Sequence, residues 1–244
     1  MPKKLRVDEL LVEKALCETI EESRRFIMAG QVRAGNDRVI QKSTEMLPVD
    51  HPLFLDLPSP YVSRGALKLL PALEEFSPDC SGKVALDLGS STGGFTDLML
   101  QSGAQKVFAV DVGTGQLHYK LRTDPRVVSL EKTNARTLTV EQITEKVDLV
   151  TSDVSFISVT KILKSASAFM KKDAFAFILV KPQFECPREL VGDGIIRDEV
   201  LRLKMVDKVK LYCMDTLGWE FLKVIPSPLK GPKGNQEYVT IFRK

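Results

Sequence analysis

Val84-Ala85-Leu86-Asp87-Leu88-Gly89-Ser90-Ser91-Thr92-Gly93-Gly94-Phe95-Thr96 reads as an apolar strand, a glycine turn and the start of a helix. Glycine lets the backbone turn tightly and approach a ligand, and the helix N-terminus behind it presents free N–H groups. The spacing is G-x-x-x-G-G. It departs from the G-x-G-x-x-G that cradles a dinucleotide pyrophosphate, so a ligand without a pyrophosphate is favoured. Further on, Phe108-Ala109-Val110-Asp111-Val112 ends a second strand with an acid 24 residues after Asp87, placed to accept hydrogen bonds from both hydroxyls of a ribose. Together the two segments describe an adenosine-type ligand at the carboxyl edge of adjacent strands. Asn134, after a third strand, stands where such folds contact an adenine ring, or else caps a helix.

Outward from that stretch, strands alternate with helices. A helix from position 64 with Leu67, Leu70, Leu73 and Phe76 on one face precedes strand 83–88, helix 94–102 and strands 106–110, 126–130 and 147–152. Helix 158–170, strand 173–180, helix 196–216 and strands 219–225 and 236–242 follow. The alternation predicts a mostly parallel sheet wound by helices on both faces, and the last two strands, joined without a helix, predict an antiparallel end.

The strand ends carry a second constellation. Thr151-Ser152-Asp153-Val154-Ser155-Phe156 and Ile178-Leu179-Val180-Lys181-Pro182-Gln183-Phe184-Glu185 put Asp153 and Lys181 side by side at the carboxyl edge, where open α/β sheets bind substrates. Each residue alone reads equally well as a helix cap or a snorkelling strand-end lysine.

The amino-terminal segment is different in kind. Residues 5–16 place Val7, Leu10, Leu11 and Ala15 at helical spacing, Thr19-x-x-Glu22 is a capping box for a second helix, and Gly30 ends it. Gln31–Ala34, Arg38–Ile40 and Leu53–Leu55, with Gly35-Asn36-Asp37 as a turn, read as short strands. The result is a small α+β module at 1–57, a proline-stiffened linker at 58–63 and a larger domain at 64–244.

Composition narrows the classes. The 244 residues are 43% hydrophobic and 27% charged, a globular balance, and no run approaches the roughly 20 apolar residues of a membrane span. Asp8 and Glu9 interrupt any signal-peptide stretch, so the protein is expected in the cytoplasm. The four cysteines show no C-x-x-C spacing and the two histidines, His51 and His118, no ligand spacing, so no metal is expected. A net charge of +3 does not announce a nucleic-acid binder. Within the first segment, however, acids come early and Arg24, Arg25, Arg33 and Arg38 come later, so one face is expected to be basic.

These segments, with Tyr61-Val62-Ser63-Arg64-Gly65-Ala66-Leu67-Lys68 and Pro226-Ser227-Pro228-Leu229-Lys230-Gly231-Pro232-Lys233-Gly234-Asn235-Gln236-Glu237, resemble the FtsJ-type ribose 2′-O-methyltransferases, and the whole chain resembles the TlyA family. The resemblance implies a Rossmann-like domain with a seven-stranded sheet and S-adenosylmethionine as methyl donor. It places a Lys-Asp-Lys-Glu active site on Lys68, Asp153, Lys181 and Glu237, and donor contacts on Asp87, Gly89, Ser90, Ser91, Gly93, Gly94, Phe95, Asp111, Asn134 and Asp153. Its partners would be ribosomal RNA or ribosomal subunits, with cytidine as target. The first module is similar to the alpha-L RNA-binding fold of ribosomal protein S-four, through Arg6-x-Asp8-x-Leu10 and Ser23–Val32. That similarity makes Arg6, Arg24, Arg25, Arg33 and Lys42, with Arg64 beyond the linker, the RNA-contact candidates. Two departures stand out: Ala66 replaces a common glycine, and Pro58-Ser59-Pro60-Tyr61 replaces an aromatic linker motif.

Ribose methylation suits these residues because the sulfonium methyl is already electrophilic. The enzyme must align the 2′-oxygen and take up its proton. Lys181 as base requires a pKa about three units below the reference value of about 10.4; as a protonated group it would instead stabilise the developing alkoxide. Val154-Ser155-Phe156 lacks the Asn/Asp-Pro-Pro-aromatic element of amino-methyltransferases. Two alternatives remain. A membrane-active hemolysin, a name also used in the family, would need a spanning or amphipathic segment, and a noncatalytic ribosome-binding protein would not need the full Lys-Asp-Lys-Glu set. No stable membrane association is expected.

Overall fold

The computed structural model describes residues 3–35, 38–56, 59–76, 79–231 and 234–244. Asn36 and Asp37 of the expected turn, Leu57 and Pro58 at the expected boundary, and Pro232 and Lys233 lie outside the described residues. The chain divides into two compact units, Met1–Pro60 and Tyr61–Lys244.

In the first unit the order is β1 (Lys4–Arg6), α1 (Val7–Glu13), α2 (Ile20–Met28), β2 (Val32–Ala34), β3 (Arg38–Val39), β4 (Met46–Pro48) and β5 (Leu53–Leu55). Val7, Leu10 and Leu11 of α1 meet Ile27 of α2 and Val32 of β2 in one core. Thr19 caps α2 by accepting from the Glu22 N–H at 3.1 Å, while the Glu22 carboxylate reaches one residue past the cap, to the Glu18 N–H at 2.8 Å. α1 is shorter than the 5–16 expected, and Ala15 beyond it has a φ of +53°. β2 pairs with β3 and β5, all antiparallel, and β1 pairs with β4 in a ribbon that no alternating pattern announces.

The second unit runs α3 (Ala66–Phe76), β6 (Val84–Leu88), α4 (Gly94–Gln101), β7 (Lys106–Val110), α5 (Tyr119–Arg122), β8 (Val127–Leu130), β9 (Val147–Ser152), α6 (Thr160–Ser167), β10 (Met170–Val180), α7 (Pro182–Glu185), α8 (Arg188–Val191), α9 (Glu199–Leu211), β11 (Glu220–Pro226) and β12 (Tyr238–Arg243). Its seven strands lie in the order β11-β12-β10-β9-β6-β7-β8. β8, β7, β6, β9 and β10 are mutually parallel, and β12 runs antiparallel to both β10 and β11. Because side chains alternate along a strand, Leu86 and Leu88 enter the core shared with α6 and α9, whereas Ala85 faces the core shared with α3 and α4. The chain turns opposite ways from β6 into β7 and β9, so a crevice opens at their carboxyl ends.

Three expectations need correction. Of the expected 67/70/73/76 stripe of α3, Leu73 is buried and Leu70 and Phe76 pack partly buried against the same core, but the most buried side is shifted to Ala66, Leu69, Ala72 and Leu73. The helix expected at 158–170 ends at Ser167, and β10 starts at Met170, with Asp173 at a φ of +63° in a bulge. Residues 61–63, expected in the linker, are built into the second unit: Tyr61 and Val62 pack against its core, and the Val62 N–H donates to Asp97 Oδ2 at 2.8 Å.

Candidate active site

At the end of β6 the backbone turns through Gly89, whose φ is +79° and whose added Cβ would lie 2.9 Å from the Asp153 carbonyl oxygen. Only glycine permits both this conformation and this approach. The Gly89 and Ser90 N–H groups both donate to the Val110 carbonyl, at 2.8 and 3.1 Å, which ties the turn to the end of β7. Beneath it Asp87 is fully buried, accepting from Thr96 Oγ1 at 2.7 Å and Thr151 Oγ1 at 2.8 Å. Burial pushes its carboxyl up to about 6, against the pull of those two hydroxyls. Asp87 thus braces the turn from below.

Two clefts meet above this turn. The larger, about 460 Å³, is lined by Gly89, Ser91, Asp111, Asn134 and Asp153, with Val112, Ala135 and Ile157 as apolar wall. The smaller, about 310 Å³, is lined by Asp87, Gly89, Ser90, Ser91, Gly94, Phe95, Lys68, Asp153 and Lys181. Gly89, Ser91, Asp153 and Ser155 belong to both. Gly93 belongs to neither: a Cβ there would fall 2.2 Å from Leu121 Cδ1, so this glycine serves packing against α5.

The residues present fit an adenosine-type ligand in the larger cleft. Its volume is ordinary for a small-molecule site. Asp111 Oδ2 accepts from the Ser91 N–H at 2.8 Å and Oδ1 from the Gly113 N–H at 2.7 Å. Each carboxylate oxygen keeps a further lone pair for a ribose hydroxyl. Asn134 lines the cleft and also caps a short 3₁₀ turn, accepting from the Arg136 N–H at 3.0 Å.

In the smaller cleft the sheet gathers two lysines and two acids. Lys181 Nζ lies 2.5 Å from Asp153 Oδ1 and 2.8 Å from Ser155 Oγ. Lys68 Nζ lies 2.8 Å from Glu237 Oε2 and 3.5 Å from Asp153 Oδ2. Side-chain exposure is 14% for Lys68, 8% for Lys181 and nil for Glu237. Such burial is tolerable because every charge faces an opposite one. Burial pulls the Lys68 ammonium down, but Asp153 and Glu237 outweigh it and hold its pKa above the ordinary lysine value. Lys68 therefore stays protonated. Glu237 does not line the cleft; it stands behind Lys68, and a Cβ on Gly231 would meet its Oε1 at 2.2 Å.

The RNA-contact candidates divide by unit. Arg6 and Arg24 both bond Asp8, Arg33 pairs with Asp56, and Arg25 and Lys42 are exposed. Arg38, counted toward a basic face, pairs with Glu45 at 2.7 Å. The expected basic cluster is thus largely ion-paired within its own unit. Arg64 is exposed at the start of the second unit. Cleft residues to which the sequence assigned no role are Gln116, Thr133, Arg136, Ser155 and Phe156. Phe156, with a φ of +67° and 87% exposure, shows no sequence signal of that conformation.

A mostly parallel seven-stranded sheet with an antiparallel β12, a glycine turn at its centre and an acid closing the next strand define an α/β unit of the methyltransferase class. The chain belongs to the FtsJ-like methyltransferase family, whose profile matches residues 61–244, and over its whole length to the TlyA family. It is 43% identical to the 16S/23S rRNA (cytidine-2′-O)-methyltransferase TlyA of Mycobacterium tuberculosis, over 100% of this chain and 91% of that protein. It is 39% identical to Hemolysin A of Brachyspira hyodysenteriae, over 98% of this chain and 99% of that one. A solved hemolysin-named structure from Streptococcus thermophilus superposes with a TM-score of 0.77 at 40% identity, covering 100% of this chain and 89% of the other. Among the described residues no helix is long and apolar enough to cross a membrane, and no group of three or more His, Cys, Asp or Glu could hold a metal ion.

Proposed function

We propose that this protein transfers a methyl group from S-adenosylmethionine to the ribose 2′-hydroxyl of a cytidine in ribosomal RNA. The observation that carries the proposal is Lys181 Nζ, held in the smaller cleft by Asp153 and Ser155, which line both clefts. The relatives named above add the acceptor class. When bound, S-adenosylmethionine supplies an electrophilic methyl. Asp111 accepts the donor's ribose hydroxyls, and Gly89 lets the backbone lie against it. Lys181 donates one N–H to Ser155 and is ion-paired with Asp153, so an N–H remains for the acceptor oxygen. As the 2′-oxygen bonds to the methyl carbon and the donor's carbon–sulfur bond breaks, releasing S-adenosylhomocysteine, that N–H would steady the oxygen while its proton passes to solvent. Lys68 keeps the field on the oxygen positive, and Glu237 holds Lys68 in place.

In this reading the first unit binds RNA. Arg25 and Lys42 contact phosphates directly, while Asp8 aims Arg6 and Arg24. Phosphate contacts position the protein on RNA without choosing sequence. A ribosomal acceptor implies a cytoplasmic enzyme.

The test is methyl transfer from labelled S-adenosylmethionine to isolated small and large ribosomal subunits and to protein-free rRNA, followed by mapping of ribose methylation through resistance to alkaline cleavage. The proposal expects label on a cytidine ribose. Label on a base, or none on any of the three acceptors by a protein that binds donor, contradicts it.

A further inference from the structure

The chain after Lys181 and the loop after Asp153 meet in three successive contacts. Lys181 Nζ donates to Ser155 Oγ at 2.8 Å, the Phe184 ring packs on the Phe156 ring at 5.3 Å between centroids, and the Glu185 carboxylate closes the series. Glu185 Oε2 accepts from Ser158 Oγ at 2.5 Å and Oε1 from the Val159 N–H at 2.7 Å. The spacing follows from α7: residues 181, 184 and 185 share one face of a helical turn. Pro182, at the first position of α7, favours that turn. From the other side Lys208 Nζ donates to the Glu185 carbonyl at 2.7 Å, tying α7 to α9.

Glu185 is buried, belongs to neither cleft, and has no part in the chemistry described above. A buried carboxylate is costly unless its bonds do something for the fold or the site. Here they fasten the far end of a loop whose near end is fixed by the Asp153 N–H, which donates to the Leu88 carbonyl at 3.0 Å. Between the two anchors Phe156 holds a left-handed φ of +67°, a conformation that persists only when the surroundings enforce it.

We infer that Glu185 is a positioning residue for methyl transfer: by clasping Ser158 and Val159 to α7, it fixes Asp153 and Ser155 against Lys181. The inference rests on the proposed function for its rate readout and on geometry alone for the clasp. Glu185→Ala removes both bonds, while Glu185→Gln keeps both, since its amide oxygen can accept from Val159 and its amide nitrogen can donate to the Ser158 hydroxyl. Misplacement of reacting groups by about 1 Å costs on the order of 100-fold in rate. Glu185→Ala is therefore expected to lose roughly 100-fold in single-turnover methyl transfer to rRNA, with a loss of donor affinity at least about tenfold smaller, and Glu185→Gln to recover to within about fivefold of wild type. Amide exchange in residues 155–160 should accelerate in Glu185→Ala and not in Glu185→Gln. Should Glu185→Ala fail to fold, Ser158→Ala removes one of the two bonds without stranding a charge, and is expected to show the same pattern in weaker form.

Wild-type rate and exchange in Glu185→Ala would overturn the inference. So would a Glu185→Gln protein as impaired as Glu185→Ala, since charge rather than the bonds would then matter. If wild type itself methylates no RNA, the proposed function fails, while the exchange comparison still decides the clasp.

Discussion

Asp8 in the first unit and Asp153 in the second are each the shared partner of two cationic side chains. Asp8 takes Arg6 and Arg24, and Asp153 takes Lys181 and, more distantly, Lys68. Around Asp8 the acid is buried and the guanidiniums are 35% and 49% exposed, leaving one net positive charge facing water. Around Asp153 the lysines are the buried partners, and Glu237 joins as a second acid, so the charges cancel. The first arrangement suits an anion that arrives from solvent; the second suits a reaction that needs fixed charges away from water. Burial and counter-charge together, rather than residue type alone, separate the proposed docking surface from the proposed reacting centre.

The largest expected effect separates the two centres by stability. Lys68→Ala strands the buried Glu237 carboxylate and should cost about 3–5 kcal/mol in urea unfolding followed by the single tryptophan, Trp219, which is buried in the second unit. Arg24→Ala, followed by circular dichroism because the first unit has no tryptophan, should cost less than about 1 kcal/mol, because its half-exposed guanidinium is screened and Arg6 still serves the buried Asp8. Equal costs would break the comparison.

Two buried acids should also respond to pH with opposite signs. Burial pushes the Asp8 carboxyl up, but the bonds from Arg6 and Arg24 outweigh it and hold it below its ordinary value. Its contribution is therefore present above the ordinary carboxylate pKa and lost as pH falls through the lower folded-state value. Among the described residues no lysine or arginine pairs with Asp87, and burial lifts it to about 6. Its ionisation thus costs stability as pH rises from the unfolded value near 4 through 6, a difference of about 3 kcal/mol. The stability difference between wild type and Asp87→Asn should therefore carry that slope, wild type losing ground as pH rises from about 4 to about 6; a difference that does not change with pH means that the carboxyl ionises as readily in the folded state as in the unfolded one.

Smaller still is the donor contact. Asp111→Ala should weaken S-adenosylmethionine binding by about 100-fold in calorimetry, the worth of a charge-assisted hydrogen-bond pair; undiminished affinity in a folded variant removes the ribose assignment. Last, replacing Arg24 and Arg25 together by alanine should flatten the salt dependence of RNA binding by at most about 0.9 log units per lost phosphate contact. An unchanged slope counts against that surface.

Much of the second unit is legible in the sequence because its strands are continuous apolar runs that end in chemistry-bearing residues. Asp87, Asp111, Asp153 and Lys181 mark strand ends, and adjacency at a carboxyl edge follows from a parallel sheet. What escaped depends on long-range pairing. The acids early in the first segment and the arginines later in it suggest a segregated basic face, yet Arg24 folds onto Asp8 and Arg38 onto Glu45. The β1–β4 ribbon has three residues a side, too few for a period to show. Glu185 sits within a quoted motif, but its role becomes visible only when Ser158 and Val159 arrive beside it. Gly93 and Gly94 look alike in sequence, yet only Gly94 reaches a cleft, because the direction of the helix start decides which glycine meets α5.

The most direct test of the central claim is single-turnover methyl transfer by Lys181→Ala and Lys181→Arg, with donor binding measured on the same preparations. Lys181 lines the smaller cleft and not the larger one that fits an adenosine-type ligand, so both variants should bind S-adenosylmethionine nearly as wild type does. Both should also fail to methylate rRNA. Alanine removes the ammonium, and arginine, always protonated and planar, reproduces neither a base nor the compact geometry that Asp153 and Ser155 hold. A Lys181→Ala protein that retains near wild-type transfer would contradict the account and reduce Lys181 to a structural strand-end lysine.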